Sequence, residues 1–497
     1  MKIMISYPPL PSEKGVPLIS QNRQYQWFNR PTFIYPVVPA YAASLLKQNG
    51  YDVVWADGVA EQMTREAFEA FFLKEAPDMI AIEVKTPVVK QYWQWITRLK
   101  DLRPKTVCVL MGDHITALPE EAFAHCPVDY TITGGDFDFA LKNLADHLSQ
   151  KIALEPGVYW RRDDGVVLNS GKFELKHKLE TLPFIDRELT KWKLYSVDNG
   201  NFKYTPGTYT MVGRDCWWGK CTFCSWTTTF TNFRVISAER ALDDVGNLIN
   251  LGVREIFDDT GTFPAGAWLK KFCEGMISRG YHKKIVMGCN MKPGALKQEQ
   301  YDLMGQANFR FILYGVESAN QMTVDRLCKG GKIEEFEPTM RMAKKGGLEP
   351  HVTCMIGYPW ESKQEAQNTI NLTRGLFDKG YIDTLQATIV IPYPGTPLFD
   401  ECKKNDWLKF DDWDRFDMRE PVMKSPIPDD EVMALSQSLY KSFMTPRFIA
   451  RKVLSVRNWD DVKFLAVGAG RVMGHLMDFS PKQVTGKNTK LEATHTS

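Results

Sequence analysis

Short apolar runs alternate with amphipathic stretches twice along this chain, and that alternation restricts it to parallel sheets covered by helices. The first block fills residues 1–150. Its strand-like runs fall at 2–6, 52–56, 79–84, 107–111 and 130–133, with helical patterns such as 38–48, 61–75 and 91–101 between them. Five strands separated by helices predict a flavodoxin-like, doubly wound domain, in which ligands lie beyond the carboxyl ends of the strands. The second block predicts strands at 209–212, 255–258, 285–288, 311–315, 352–356 and 388–391. Six β/α units over 208–410 make a partial (β/α)6 barrel, whose working face is again the carboxyl end. At 497 residues the chain is too long for one core, so several domains are expected.

Two further segments complete the α/β organisation. Residues 151–207 read as a small hairpin followed by a lysine-rich linker, and 411–497 as a C-terminal helical domain with helices near 429–443 and 447–476. Arg447, Arg451, Lys452, Arg457, Lys463 and Arg471 give that tail basic character. It reads either as a solvated helical face or as a lobe over the barrel mouth that helps bind a large or anionic substrate. The polar residues after Phe479 are expected to be disordered. Residues 8–35, with Tyr25, Trp27, Phe28, Phe33 and Tyr35, are long for a connection. They fold over a cofactor face or domain junction, or pack on themselves as a surface insertion.

Lys+Arg number 62 against 60 Asp+Glu, so nothing global points to nucleic acid. No run approaches the roughly 18 apolar residues of a membrane span, and the first residues lack the pattern of a signal peptide. Ten cysteines in no even framework suit a reducing compartment, and a cytoplasmic protein is expected.

Three of those cysteines fall within nine residues: Cys216, Cys221 and Cys224. No fourth cysteine or histidine is near, whereas structural zinc normally takes four protein ligands. A 4Fe-4S cluster on three cysteines keeps one iron open. A zinc knuckle completed from a distant residue is the alternative. The loop follows the first barrel strand, so it emerges at the mouth, where Asp259, Asn290, Gly315, Glu317 and Ser318 are candidate ligand contacts. Tyr358 and Tyr393, at the ends of the last two strands, are the candidate catalytic side chains. Glu317 could pair with the ammonium of an amino-acid-like ligand, or such acids could cap helices. In the first block Pro8, Thr86, Gly112, Asp113, His114, Thr116, Gly134, Gly135 and Asp136 stand at strand ends and suit close backbone approach to a large ligand.

Residues 112–120 (Gly-Asp-His-Ile-Thr-Ala-Leu-Pro-Glu), 128–135 (Val-Asp-Tyr-Thr-Ile-Thr-Gly-Gly) and 311–320 (Phe-Ile-Leu-Tyr-Gly-Val-Glu-Ser-Ala-Asn) accompany the cysteine loop. Together they resemble class B of the radical S-adenosylmethionine family, the cobalamin-binding branch, over nearly the whole chain. The resemblance implies cobalamin on the first domain, a 4Fe-4S cluster on Cys216, Cys221 and Cys224, and S-adenosylmethionine at the open iron, with the Phe223 backbone under adenine. It implies a 5'-deoxyadenosyl radical that takes hydrogen from an unactivated carbon, and methylcobalamin as methyl donor. An external electron donor such as flavodoxin or ferredoxin is implied as well. Two features depart from the family. Four residues separate Cys216 from Cys221, where three are usual. The Asp-x-His-x-x-Gly signature is absent because Asp113 and His114 are adjacent, so cobalamin is expected to bind without a histidine below cobalt.

The expected function is C-methylation, with a polypeptide side chain as substrate, for example a glutamine of methyl-coenzyme M reductase; a small molecule or lipid is the other substrate class. The alternatives are a non-methylating radical reaction, such as oxidative cyclisation or rearrangement, and a non-catalytic corrinoid-binding sensor or carrier.

Overall fold

The computed structural model describes residues 1–19, 25–29, 31–442 and 445–478. The N-terminal lobe is built on β1 (Lys2–Tyr7), β2 (Asp52–Asp57), β3 (Met79–Glu83), β4 (Val107–Met111) and β5 (Tyr130–Ile132). These pair in parallel in the order β2-β1-β3-β4-β5, the strand order of flavodoxin-like sheets. Each is a short apolar run because the sheet is covered on both faces. Helix α1 (Val37–Gln48) packs against α6 (Phe137–Gln150) on one side, and α3 (Val89–Leu102) buries Tyr92, Trp93, Trp95, Ile96 and Leu99.

The hairpin read from the sequence as part of a linker is not separate from this sheet. Its strands, β6 (Val158–Arg161) and β7 (Val167–Asn169), pair antiparallel onto β5 and extend the sheet to seven strands. Of its residues only Val158 is buried and the rest are half-buried or exposed, as befits the edge of the sheet.

The second lobe is a parallel sheet in strict chain order: β8 (Gly207–Thr210), β9 (Glu255–Asp258), β10 (Val286–Met291), β11 (Phe309–Glu317), β12 (Glu349–Ile356) and β13 (Thr384–Ile389). Helices cover its outer face, each with local signals. Ser237 caps α8 (Ala238–Asn250) by accepting from the Arg240 N–H, and Ser362 with Glu365 forms a capping box on α13 (Lys363–Lys379). Gly380 ends α13 at φ +75°, a conformation open to glycine.

The chain then forms α14 (Pro397–Lys404), an irregular segment, and the helices α15 (Asp429–Ser442), α16 (Pro446–Leu454) and α17 (Trp459–Asp478). The expected disordered tail after Phe479, and residues 20–24 and 30 of the long 8–35 loop, lie outside the described residues. Much of what is described of that loop is buried: Leu18, Tyr25, Gln26, Trp27, Phe33 and Tyr35 pack into the core, whereas Phe28 is half-buried and Pro11, Glu13 and Asn29 are exposed. Among the described residues, no helix is long and apolar enough to cross a membrane.

Candidate active site

The cysteine loop leaves the carboxyl end of β8 and is fastened on every side. The Asp258 carboxylate accepts from the Thr210 hydroxyl and the Val212 N–H, at 2.8 and 2.9 Å. Arg214, fully buried, then reaches across to the N-terminal lobe, where its guanidinium binds Asp136 at 2.8 Å and also Asp138. Arg234 adds a second bond to Asp136 at 2.6 Å. Buried ion pairs of this kind fix geometry, because removing one partner strands the other charge. Asp215, at φ +75°, turns the chain and accepts from the Cys216 N–H at 2.7 Å. Beyond it, Trp217 donates to the Phe263 carbonyl at 3.2 Å and Trp218 to the Cys328 carbonyl at 2.7 Å. The extra spacer residue is therefore held down: Trp218 lies over Gly330, where any Cβ would come within 2.2 Å of its ring.

The three cysteines share one cavity with Phe223, Asn290, Gly315, Glu317 and Tyr393. The cavity also takes in Lys292, Lys329 and the apolar side chains Leu313, Met355, Ile391 and Met418. Strand β11 bulges between Gly315 and Glu317, and Glu317 sits at φ +64°. A bulge re-aims a side chain, and here it sends Glu317 to Lys329, 2.7 Å away. Gly315 makes this possible, since a Cβ would lie 2.1 Å from the Glu317 carboxylate and 2.4 Å from Lys329 Nζ. Burial, and the Lys329 charge beside it, hold Lys292 below the ordinary lysine range. Among the described residues, no three cysteine, histidine or acidic side chains converge closely enough to hold a metal ion as they stand.

Opposite this mouth lie the strand ends of the N-terminal lobe. His114 is buried, and both of its ring nitrogens are engaged, by Thr86 Oγ1 at 3.1 Å and by Glu121 at 2.9 Å. Lys85 sits between Glu83 at 3.4 Å and Asp113 at 3.5 Å. Thr116 donates to the Gly112 carbonyl and accepts from the Gly134 N–H. Trp413, from the segment after α14, donates to Glu121 and meets the His114 ring edge to face. The Gly135 N–H donates to the Thr229 carbonyl on α7 (Trp226–Thr229), the helix that follows the cysteines. The two carboxyl-end faces thus look at each other.

Several sequence expectations change at this point. The space beside Gly112, Gly134 and Gly135 is taken by Val84, Phe173 and Phe230 of the protein itself, so these glycines serve close packing. Asp136 is committed to Arg214, Arg234 and His177, which hold its carboxyl well below the usual range against the opposing effect of burial. Ser318 donates to Glu361 and does not line the cavity; neither does Asp259, whose carboxylate accepts from Asn290 at 3.4 Å. Pro8 is buried where β1 ends. Tyr358 is withdrawn as a catalytic candidate: it is fully buried in an apolar cluster with Leu327, Met355 and Phe416, and burial raises its phenol well above 10.0. Tyr393 does line the cavity, but its hydroxyl donates to the Phe416 carbonyl at 3.2 Å. Sequence reasoning does not single out Lys329, Lys292, Glu121 or Trp413. Only the lysine-glycine-glycine turn at 329–331 offered a signal, a basic side chain next to flexible backbone.

The parallel partial barrel thus carries a three-cysteine loop at its mouth, facing a flavodoxin-like lobe. Residues 210–373 match the model of the Radical SAM superfamily. An uncharacterized methyltransferase of Pyrococcus horikoshii is 26% identical over 428 residues, 84% of this chain and 90% of that protein. The anaerobic magnesium-protoporphyrin IX monomethyl ester cyclase of Cereibacter sphaeroides is 23% identical over 404 residues, 78% of this chain and 63% of that longer protein. Two solved structures share the fold. The methyltransferase TsrM of Kitasatospora setae, with cobalamin and a [4Fe-4S] cluster bound, has a TM-score of 0.63 at 14% identity, covering 81% of this chain and 78% of its own. OxsB, a cobalamin-dependent S-adenosylmethionine radical enzyme, has a TM-score of 0.69 at 15% identity, covering 96% and 72%. Residues 210–373 thus carry the match to a radical SAM domain, and the chain shares its fold over most of its length with these two solved structures.

Proposed function

We propose that this protein is a cobalamin-dependent radical SAM methyltransferase that methylates an unactivated carbon. The observation that carries the reading is the opposition of the two faces: an open three-cysteine loop on one and the His114 network on the other, locked together by Arg214. The donor set fits the cofactors. Three sulfurs without a fourth protein ligand suit a 4Fe-4S cluster with one open iron. On the other side, the hydroxyls of Tyr25 and Tyr92 and the indole N–H groups of Trp27 and Trp93 are buried without partners, as befits walls made for a large polar ligand. His114 is fully bonded to protein, which supports cobalamin binding without histidine below cobalt.

Bound there, the cluster and the corrinoid would supply reductive cleavage of S-adenosylmethionine and the methyl group. Everything else falls to the chain. Glu317 and Lys329 offer one anionic and one cationic group to the ammonium and carboxylate of the methionine moiety, and Lys292 offers a second cation. The Phe223 backbone and Asn290 border the same cavity and would hold the nucleoside. Leu313, Met355, Ile391 and Met418 exclude water from the reacting carbon. These walls call for an apolar reacting end. An aliphatic side-chain carbon of a polypeptide meets that demand, and an external one-electron donor such as flavodoxin or ferredoxin would drive turnover.

The test is anaerobic incubation of reconstituted enzyme with reductant, S-adenosylmethionine and cell extract. The expected result is S-adenosylhomocysteine beside 5'-deoxyadenosine and a product heavier by one methyl group. A product without that gain would replace methylation by cyclisation or rearrangement, the reaction class of the Cereibacter relative. Absence of deoxyadenosine would leave a corrinoid carrier.

A further inference from the structure

Helices α16 and α17 cover the floor of the barrel, opposite the mouth, and they are mounted with their apolar sides outward. In α16 the positions Pro446, Ile449, Ala450, Val453 and Leu454 follow one another at i, i+3, i+4, i+7 and i+8, the spacing of a single helix face. All are exposed, Leu454 by 83%. The cations of the same helix point inward instead: Arg451 donates to the carbonyls of Phe377 and Asp378, and Lys452 reaches Asp383 at 2.8 Å. Helix α17 repeats the arrangement. Trp459, Val462, Lys463, Ala466 and Val467 share the outer face, with Trp459 exposed by 78%. Its acids are paired, Asp460 with the partly exposed Arg254 at 2.7 Å and the buried Asp461 with Lys203 at 2.6 Å.

The outer face is therefore an apolar ridge whose unpaired charges are cations. Arg447, Arg457 and Lys463 are exposed and have no ion pair among the described residues. A contiguous apolar surface of this kind marks an interaction site. Its charge pattern selects the partner. Two copies of the chain meeting through this face would set like charges against one another, since Asp460 and Asp461 are already committed to Arg254 and Lys203. An anionic lipid surface supplies negative charge to the cations and an apolar layer to Leu454, Val453 and Trp459, an aromatic side chain suited to that boundary. We propose that α16 and α17 dock the protein on an anionic membrane surface, which leaves the barrel mouth on the opposite side free to take substrate.

Co-sedimentation of the full chain with vesicles tests this. Vesicles of phosphatidylcholine containing phosphatidylglycerol are expected to carry the protein down, phosphatidylcholine alone is not, and added salt should release it. Arg457→Glu with Lys463→Glu, and separately Leu454→Glu, should each weaken binding by at least about tenfold. These side chains are exposed, so the variants should melt as the parent does. Equal binding to both vesicle types, or variants that bind like the parent, would overturn the proposal. So would a dimer in gel filtration that Leu454→Glu dissolves, which would make a second copy the partner. Binding seen only after deletion of residues 479–497 would make that segment the normal cover and equally overturn it.

Discussion

The two ends of the barrel sheet hold similar charged residues under opposite arrangements. At the floor, Arg310 is bound by Glu255 and by Glu349 at 2.6 Å, with the Asn201 carbonyl as a further acceptor. Lys203 reaches Glu349 and Asp461, and Lys344 and Lys452 share Asp383. At the mouth, Glu317 answers Lys329, while Lys292 has no carboxylate within ion-pair distance among the described residues and lies 4.5 Å over the Trp218 ring. Across from it, the Tyr25 and Tyr92 hydroxyls and the Trp27 and Trp93 indoles are buried unpaired. A closed network serves the fold; buried polar groups and like charges left open are held for something that binds. The floor and mouth thus separate stability from function along one set of strands.

The sharpest way to break that separation is at the mouth. Cys221→Ala should remove bound iron and all turnover from reconstituted enzyme, while urea unfolding shifts by no more than about 1 kcal/mol. Iron analysis and visible absorption check the first part. A stability loss matching the loss of iron would mean that the loop is structural after all. At the floor the expectation inverts. Arg310→Ala strands Glu255 without its buried partner and should cost about 3–5 kcal/mol in urea unfolding, with turnover per folded molecule unchanged. Arg214→Ala sharpens the contrast, because its network belongs to both roles: it should cost a similar amount through Asp136 and Asp138, and also lower corrinoid occupancy by unlocking the lobes.

A smaller effect is expected from Glu317→Gln, which keeps the shape and removes the charge. Affinity for S-adenosylmethionine, read by equilibrium dialysis, should fall by roughly tenfold or more, as for loss of a hydrogen bond to a charged group worth about 1.5–3 kcal/mol. Unfolding free energy should hardly move. Lys329→Met should do the same through the other end of the pair, and the double variant should show less than the sum because the two act on one another.

How much of this was visible beforehand follows from the range of each interaction. The strands of both sheets follow from local apolar runs, and the cysteine loop from spacing alone, so both could be read along the chain. Glu317 was found because it sits on a strand end. Its partner Lys329 was not, since the bulge that joins them is a matter of register. Tyr358 looked catalytic by position at a strand end, yet the 390–423 segment folds over it and buries it, a contact that no local pattern announces. Asp136 likewise stood where a ligand contact was expected, and only the approach of Arg214 and Arg234 from the other lobe shows it to be a clamp.

The smallest prediction uses the two histidines that mark the two ends. His177, at the lobe junction, is raised to about 9 because Asp136 and Glu155 favour its charged form more than burial opposes it. A raised basic group adds stability that is complete below its unfolded value of 6.5 and is lost as pH climbs through about 9. His351, deep in β12 beside Phe311, is lowered to about 4 by burial alone. There the unfolded chain takes up a proton that the folded one refuses, so stability falls as pH drops from 6.5 toward about 4, by at most about 1.4 kcal/mol per pH unit. Unfolding free energy against pH should therefore slope down on both sides of neutrality, with the two slopes arising at opposite ends of the barrel. His177→Gln should flatten the alkaline side and leave the acid side alone. If that variant instead changes the acid side, the junction carries no separable charge network, and the division between mouth and floor fails.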